Sequence, residues 1–283
     1  MVTEQDVYKT LLHLGVKNGD ILLIHSSLKS FGEVENGADT VIDGALDAVG
    51  KDGTVVVPTL LTKSFKVAYE IFDKDTTPSE VGIITETLRC RKEALRSNQE
   101  THSVAAIGKH AEFLTCSHKE SKPRIFPYGD YAFSHGSPWQ KMYDLNAKVV
   151  MMGAPQSTVT FRHFVEAVYC ENIIEKIKDK MAKAKIISRL VSYDRIFKYE
   201  EIMKKANYAV DATEMIRFQF GTKDSQTIDP KITKTTYCGN SLFTLFHVKD
   251  YVDGMLKDIE NNPTKYFSQK VLDFINEIKS LQG

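Results

Sequence analysis

The chain has 283 residues, of which 42% are apolar and 26% charged, close to globular averages, so it can bury a sizeable core. Lys plus Arg and Asp plus Glu both number 37, and this zero formal charge excludes the basic footprint of a nucleic-acid binder. The first residues lack a secretory pattern and no run approaches the ~20 apolar residues of a membrane span, so a cytoplasmic protein with no membrane partner is expected.

In chain order, Val7, Leu11, Leu12 and Leu14 fall on helical spacing within residues 4 to 14, and Gly19-Asp20 turns the chain into the buried strand Ile21 to Ile24. That strand ends in His25-Ser26-Ser27. A second amphipathic helix spans 38 to 49, and the strand Thr54 to Val57 stops at Pro58-Thr59. Residues 60 to 77 read as irregular, Val81 to Cys90 as a helix, and Ser103 onward as a strand following Thr101-His102. Residues 117 to 136 form a long loop of the kind that is usually functional or mobile. Ser137-Pro138 opens a helix to about Leu145, and Lys148 to Met152 is another apolar strand ending in Gly153-Ala154-Pro155. The lysine-rich stretch from 171 to 206 reads as a helical insertion with a solvated face, and Leu242 to Leu256 and Thr264 to Leu281 as two closing helices. Helix, turn, buried strand and polar loop in repetition predict one α/β domain over 1–283.

Thr160-x-x-His163-x-x-Glu166 is the best local constellation, because positions three apart on a helix share a face. Glu166 can orient the His163 imidazole and raise its basicity, fitting it to take a proton from an attacking amine. His25-Ser26-Ser27 and Thr101-His102-Ser103 lie at strand ends, where hydroxyls and free N–H groups can face a phosphate, carbonyl or thioester oxygen. Three other chemistries use residues of the chain. A serine hydrolase would pair Ser26 or Ser27 with His163, but the Gly-x-Ser-x-Gly elbow is missing. Cys90, Cys116, Cys170 and Cys238 have no CxxC spacing and read as buried, reduced thiols, one of which could pair with a histidine as a nucleophile. His25, His102, His135 and His163 could converge on a metal, yet no HExxH or dense ligand spacing supports it, and no metal is expected. Walker A and Gly-x-Gly-x-x-Gly sequences are also missing.

Seven segments in order, LLIHSSLKSFG (22–32), GTVVVPT (53–59), FDKDTTPSEVGIITETLR (72–89), LRSNQETHSVAAIG (95–108), FSHGSPWQKMYDLNAKVVMMGA (133–154), TFRHFVEAVY (160–169) and CGNSLFTLFHVKDYVDGMLKDIENNPTKYF (238–267), resemble the aminoglycoside 3-N-acetyltransferase family, which is distinct from the GNAT fold. The resemblance implies an α/β fold with a central mixed sheet flanked by helices, and acetyl-CoA or another short acyl-CoA as co-substrate. It implies His25, Ser26, Ser27, Thr59, His102, Ser103, Val104, Ser137 and Pro138 along the donor, with backbone N–H groups near Ser103 or Ser137 at the oxyanion. His163 inherits the role of general base, Glu166 that of its orienting carboxylate, and Thr160 a place at the site or the thioester. The implied reaction is direct N-acylation of a small-molecule amine, an aminoglycoside or amino sugar, by a monomer or homodimer. A nucleotide-linked amino-deoxysugar acceptor of surface polysaccharide synthesis, or an inactive CoA-binding homologue, are the alternatives. Two places depart from the resistance enzymes: Gln99-Glu100 stands where His-Pro is usual, and Ser157 where an acidic residue often lies six positions before the helix histidine.

Overall fold

The computed structural model describes residues 1–63, 67–192, 215–222 and 227–282. Seven strands, β1 (Ile21–Ser26), β2 (Thr54–Pro58), β3 (Leu95–Arg96), β4 (Val104–Gly108), β5 (Lys148–Met152), β6 (Lys234–Cys238) and β7 (Ser241–His247), form one sheet in the order β3-β4-β2-β1-β5-β7-β6. β1 pairs in parallel with both β2 and β5, and the outer pairs are antiparallel, so the sheet is mixed as expected.

The unbroken apolar runs of the central strands follow from burial on both faces. Leu22, Ile24, Val55, Val57, Val150 and Met152 face one layer, which contains helices α1 (Glu4–Leu14) and α2 (Ala38–Val49). Leu23, Val56, Val149 and Met151 face the opposite layer. That second layer holds, in chain order after the short helices α3 (Ala68–Ile71) and α4 (Ile83–Arg89), the helices α5 (Ala111–Thr115), α6 (Pro138–Asp144), α7 (Phe161–Glu175), α8 (Lys180–Ser188), α9 (Val248–Asn261) and α10 (Gln269–Ser280). Thr3 caps α1 with a full capping box, its hydroxyl accepting from the Asp6 N–H and Asp6 accepting from the Thr3 N–H at 2.9 Å.

Most elements lie where the periodicity places them, and the differences have physical causes. Leu242 belongs to β7, and the helix expected from Leu242 begins only at Val248, because Ser241–His247 pairs with β5 on one side and β6 on the other. The second closing helix starts at Gln269, after a single 3-10 turn at Pro263–Lys265. Strands β3 and β6, and helix α5, are too short or too polar to stand out in the sequence. The lysine-rich stretch is less solvated than its composition suggests: its first five residues end α7, α8 follows, and Ile173, Ile174, Ile177, Ile186 and Leu190 are buried in the second core layer. Residues 193 to 206 of that expectation lie outside the described residues. No helix among the described residues is long and apolar enough to cross a membrane.

Candidate active site at the switch point of the sheet

Because β2 and β5 flank β1 in parallel, the chain leaves β1 toward opposite sides of the sheet, and a crevice opens at the C-terminal ends of these three strands. A cavity of about 460 Å³ occupies it. His25, Ser26 and Ser27 line it from the end of β1, Pro58, Leu60 and Leu61 from the end of β2, and Ala154 and Pro155 from the end of β5. Close backbone approach shapes its floor. Ser27 N–H donates to the Met152 carbonyl at 3.0 Å, and Gly153, at φ 67°, lies where any Cβ would overlap the Ser30 side chain.

Helix α7 brings the expected triad to the opposite wall, and Thr160 and His163 both line the cavity. Glu166 Oε2 lies 2.8 Å from His163 Nδ1, and the other oxygen, Oε1, accepts the backbone N–H of Phe220 at 2.8 Å. Glu166 is 1% exposed, whereas the His163 side chain is 21% exposed. A carboxylate on Nδ1 places the proton on that nitrogen and leaves Nε2 as the basic atom. The Phe220 contact, 54 residues away in sequence, is a part of the site that no local spacing reveals.

An aromatic wall surrounds this base. The His163 ring lies 6.1 Å from the His102 ring, 5.6 Å from Phe126 and 5.9 Å from Tyr128, centre to centre. Phe126 and Tyr128 come from the loop at 117–136, which is well fixed. Arg124 donates to the Phe133 carbonyl at 2.9 Å and to Glu171 of α7 at 2.6 Å, and His118 bridges Ser97 at 3.0 Å and the Ala132 carbonyl at 3.1 Å. The long loop is thus a wall of the site, and its Pro and Gly residues were the only signal for it in the sequence. Thr101, also on the cavity wall, contacts His102 Nδ1 at 2.9 Å and donates to the Tyr128 carbonyl at 2.8 Å.

Burial sets the histidine chemistry. Desolvation pushes His25 down from 6.5 to about 4. Its Nε2 is shielded from solvent and has no hydrogen-bond partner among the described residues. Desolvation, reinforced by His163 and His118, holds His102 well below the usual histidine range. Both rings are therefore neutral at pH 7 and act as hydrogen-bonding groups rather than cations.

Thr59, Ser103, Val104, Ser137 and Pro138 do not line the cavity. The Thr59 and Ser103 hydroxyls lie 2.9 Å apart and receive the Arg96 Nε at 3.1 and 3.2 Å, tying the ends of β2 and β4 together. Val104 is a core residue of β4 paired with Pro58. Ser137 caps α6 by accepting from the Gln140 N–H at 3.2 Å, with Pro138 at the first helical position. The Ser137 N–H donates to the Ser134 carbonyl at 3.0 Å. Ser103 is 0% exposed and follows Thr101 and His102, which do line the cavity.

The competing chemistries find little support in this geometry. His135 pairs with Glu171 at 2.9 Å, away from the cavity, so the four histidines do not converge. Ser26 and Ser27 share the cavity with His163, but no hydrogen bond joins them among the described residues. Cys90 and Cys116 are exposed, contrary to the expectation of four buried thiols, while Cys170 and Cys238 are buried, and burial pushes both buried thiols up. None of the four lines the cavity. Of the two departures, Ser157 lies on the cavity wall, and Gln99 is buried, with Oε1 accepting the N–H groups of Thr101, at 3.0 Å, and His102. Glu100 pairs with Lys119.

The sequence model of the aminoglycoside 3-N-acetyltransferase family matches residues 23–259, which include every residue of the cavity wall. The chain belongs to the aminoglycoside 3-N-acetyltransferase family. Aminoglycoside N(3)-acetyltransferase III of Salmonella is 34% identical over 184 residues, 59% of this chain and 61% of that protein, so the chain spans less than two thirds of that relative. The prophage-derived aminoglycoside N(3')-acetyltransferase-like protein YokD of Bacillus subtilis is 27% identical over 231 residues, covering 74% of this chain and 81% of that one. Among solved structures, the binary complex of AAC-IIIb with CoASH has the same fold, with a TM-score of 0.61 at 18% identity over 92% of this chain and 97% of that one.

Proposed function

We propose that residues 1–283 act as one catalytic unit that transfers an acetyl or short acyl group from acyl-CoA to the amine of an aminoglycoside or amino-sugar acceptor. The observation that carries this reading is the Phe220–Glu166–His163 relay, which ends on a free Nε2 in the crevice of the sheet. The names of the family and of its relatives, and the CoASH complex of a neighbour with the same fold, support the donor and the reaction class.

The neutral amine attacks the thioester carbonyl and forms the C–N bond, while His163 Nε2 accepts the amine proton. The resulting imidazolium is stabilised by the Glu166 carboxylate. The tetrahedral intermediate then collapses, the C–S bond breaks, and the CoA thiolate leaves. No covalent enzyme intermediate is required, because one cavity holds nucleophile and thioester together. Ser26, Ser27 and Thr160 supply polar contacts to the donor beside the His25 ring, and a neutral, buried imidazole suits the amides of a pantetheine arm better than a phosphate. His102 forms the wall behind the base. Thr59, Ser103, Val104, Ser137 and Pro138 act on the donor only through the wall they brace.

The test is thiol release from acetyl-CoA with a panel of amines, including an aminoglycoside and an amino sugar. Acyl transfer that disappears in His163→Ala is the expected result. CoA binding without thiol release for any amine would overturn the enzyme and leave a CoA-binding protein.

A further inference from the structure

One cation lies beside the base and has no role in the reaction above. Arg217 sits on a short extended segment in which Ile216, Phe218 and Phe220 are buried and Arg217 is exposed. The buried residues fix that segment: Phe218 and Phe220 pack on Phe267 at 5.2 and 5.3 Å between ring centres, and Phe220 N–H holds Glu166. Arg217, between the buried Ile216 and Phe218, thereby projects from the opposite side of the segment and reaches the cavity wall at Tyr128. Its guanidinium carbon lies 4.9 Å over the centre of the Tyr128 ring, whose own centre is 5.9 Å from that of His163. Nε is satisfied by Gln219 Oε1 at 2.6 Å, and the two terminal nitrogens have no further partner among the described residues.

Three carboxylates of the site and of the loop after β2 are engaged elsewhere. Glu166 serves His163 and Phe220, Glu80 accepts the N–H groups of Thr62 and Lys63 at 2.7 and 2.6 Å, and Glu86 is held by Arg89. The group presented at this edge is therefore a flat, stacked guanidinium with two free donors, the geometry that grips a phosphate or carboxylate bidentately.

We infer that Arg217 recognises an anionic group, a phosphate or carboxylate, carried by the acceptor, and so makes an anionic amino sugar rather than a polycation the favoured substrate. This rests on the acyl-transfer reading for the position of the reacting amine. The donor also has phosphates, but the whole pantetheine arm separates them from its thioester, whereas Arg217 is one ring away from the base that receives the amine proton. Arg217 is a specificity residue that sets acceptor placement, and it takes no proton.

The test compares glucosamine with glucosamine 1-phosphate, using acetyl-CoA and dephospho-acetyl-CoA as donors, in wild type, Arg217→Gln and Arg217→Lys. The phosphorylated amine should be preferred by about tenfold or more in kcat/KM, and Arg217→Gln should erase the preference through KM for that amine, with Arg217→Lys intermediate. A rise in KM for acetyl-CoA alone would assign Arg217 to the donor's 3′-phosphate, and a rise for both donors to its pyrophosphate, and either would overturn the inference. Equal use of both amines, or a preference for polycations, would overturn it as well. Calorimetric binding of the two sugars separates this from the enzyme reading. Arg217-dependent binding of the phosphate without turnover would sink acyl transfer and leave the anion site, and equal binding of the two sugars would sink the anion site.

Discussion

Glu166 Oε2 and His163 Nδ1 lie 2.8 Å apart, and the remaining oxygen of that carboxylate accepts the Phe220 N–H at the same distance, so one buried group serves two donors from separate parts of the chain. A glutamine in its place has a single acceptor oxygen. In Glu166→Gln the amide oxygen keeps the Phe220 N–H only with its NH2 turned to His163 Nδ1, which moves the imidazole proton to Nε2, and the reverse orientation sets the NH2 against the Phe220 N–H at a cost of about 1 to 3 kcal/mol. The expected outcome is a fall of about tenfold to a hundredfold in kcat, with acetyl-CoA affinity retained, while His163→Ala falls by about 10²- to 10⁴-fold. Steady-state kinetics alongside CoA titration checks both, and wild-type kcat in His163→Ala would remove it as the base.

Arg96 should matter for stability without touching the cavity. It donates to the Thr59 carbonyl at 2.9 Å and the Thr77 carbonyl at 2.5 Å, as well as to the Thr59 and Ser103 hydroxyls, despite a desolvation cost that pulls its pKa down to about 10. Arg96→Met strips these four acceptors, and the Lys74 carbonyl at 3.4 Å, of a charged donor. A loss of about 2 to 3 kcal/mol in urea unfolding is expected, and an unchanged midpoint would show that water replaces the clamp.

Gly153 lies between the end of β5 and the cavity-lining Ala154, where a Cβ would overlap Ser30 and come within 2.6 Å of Ser241 Oγ. The Ser30 and Ser241 hydroxyls are themselves hydrogen-bonded at 2.7 Å, so neither can step aside freely. Gly153→Ala should cost about 1 to 3 kcal/mol from the positive φ and the overlap together. Thermal unfolding measures this, and the substitution should also raise KM for acetyl-CoA, since the floor it moves carries Ser26 and Ser27.

Acid should unfold the protein partly through its buried histidines. His25 titrates near 6.5 unfolded and about 4 folded, and His118, buried between Ser97 and Ala132, is pushed down to about 3. Between these values the unfolded chain binds more protons than the folded one, so stability is fully present above pH 6.5 and is lost as pH falls toward 4. His25 alone accounts for about 3 kcal/mol over that window. Urea unfolding from pH 7 to pH 4 should show the loss, and His25→Gln should flatten its slope. An identical slope in that variant would mean that His25 is not the titrating group.

Much of this protein was determined by local order in the sequence. Apolar runs such as Ile21–Ile24 and Val149–Met152, closed by polar residues or Gly-Ala-Pro, specify doubly buried strands, because a segment without a polar face has to be covered on both sides. The i, i+3 spacing of Thr160, His163 and Glu166 specifies one helix face for the same geometric reason. Tertiary structure decided the rest. Which strand-end hydroxyls face the cavity depends on sheet order and on rotations at each strand end, and this separates Ser26 and Ser27 from Thr59 and Ser103. Phe220 meets Glu166, and Arg217 stacks on Tyr128, only because the aromatic packing of 216–220 on Phe267 carries that segment to α7. Contacts at such separations arise from burial of the whole chain, and no local spacing encodes them.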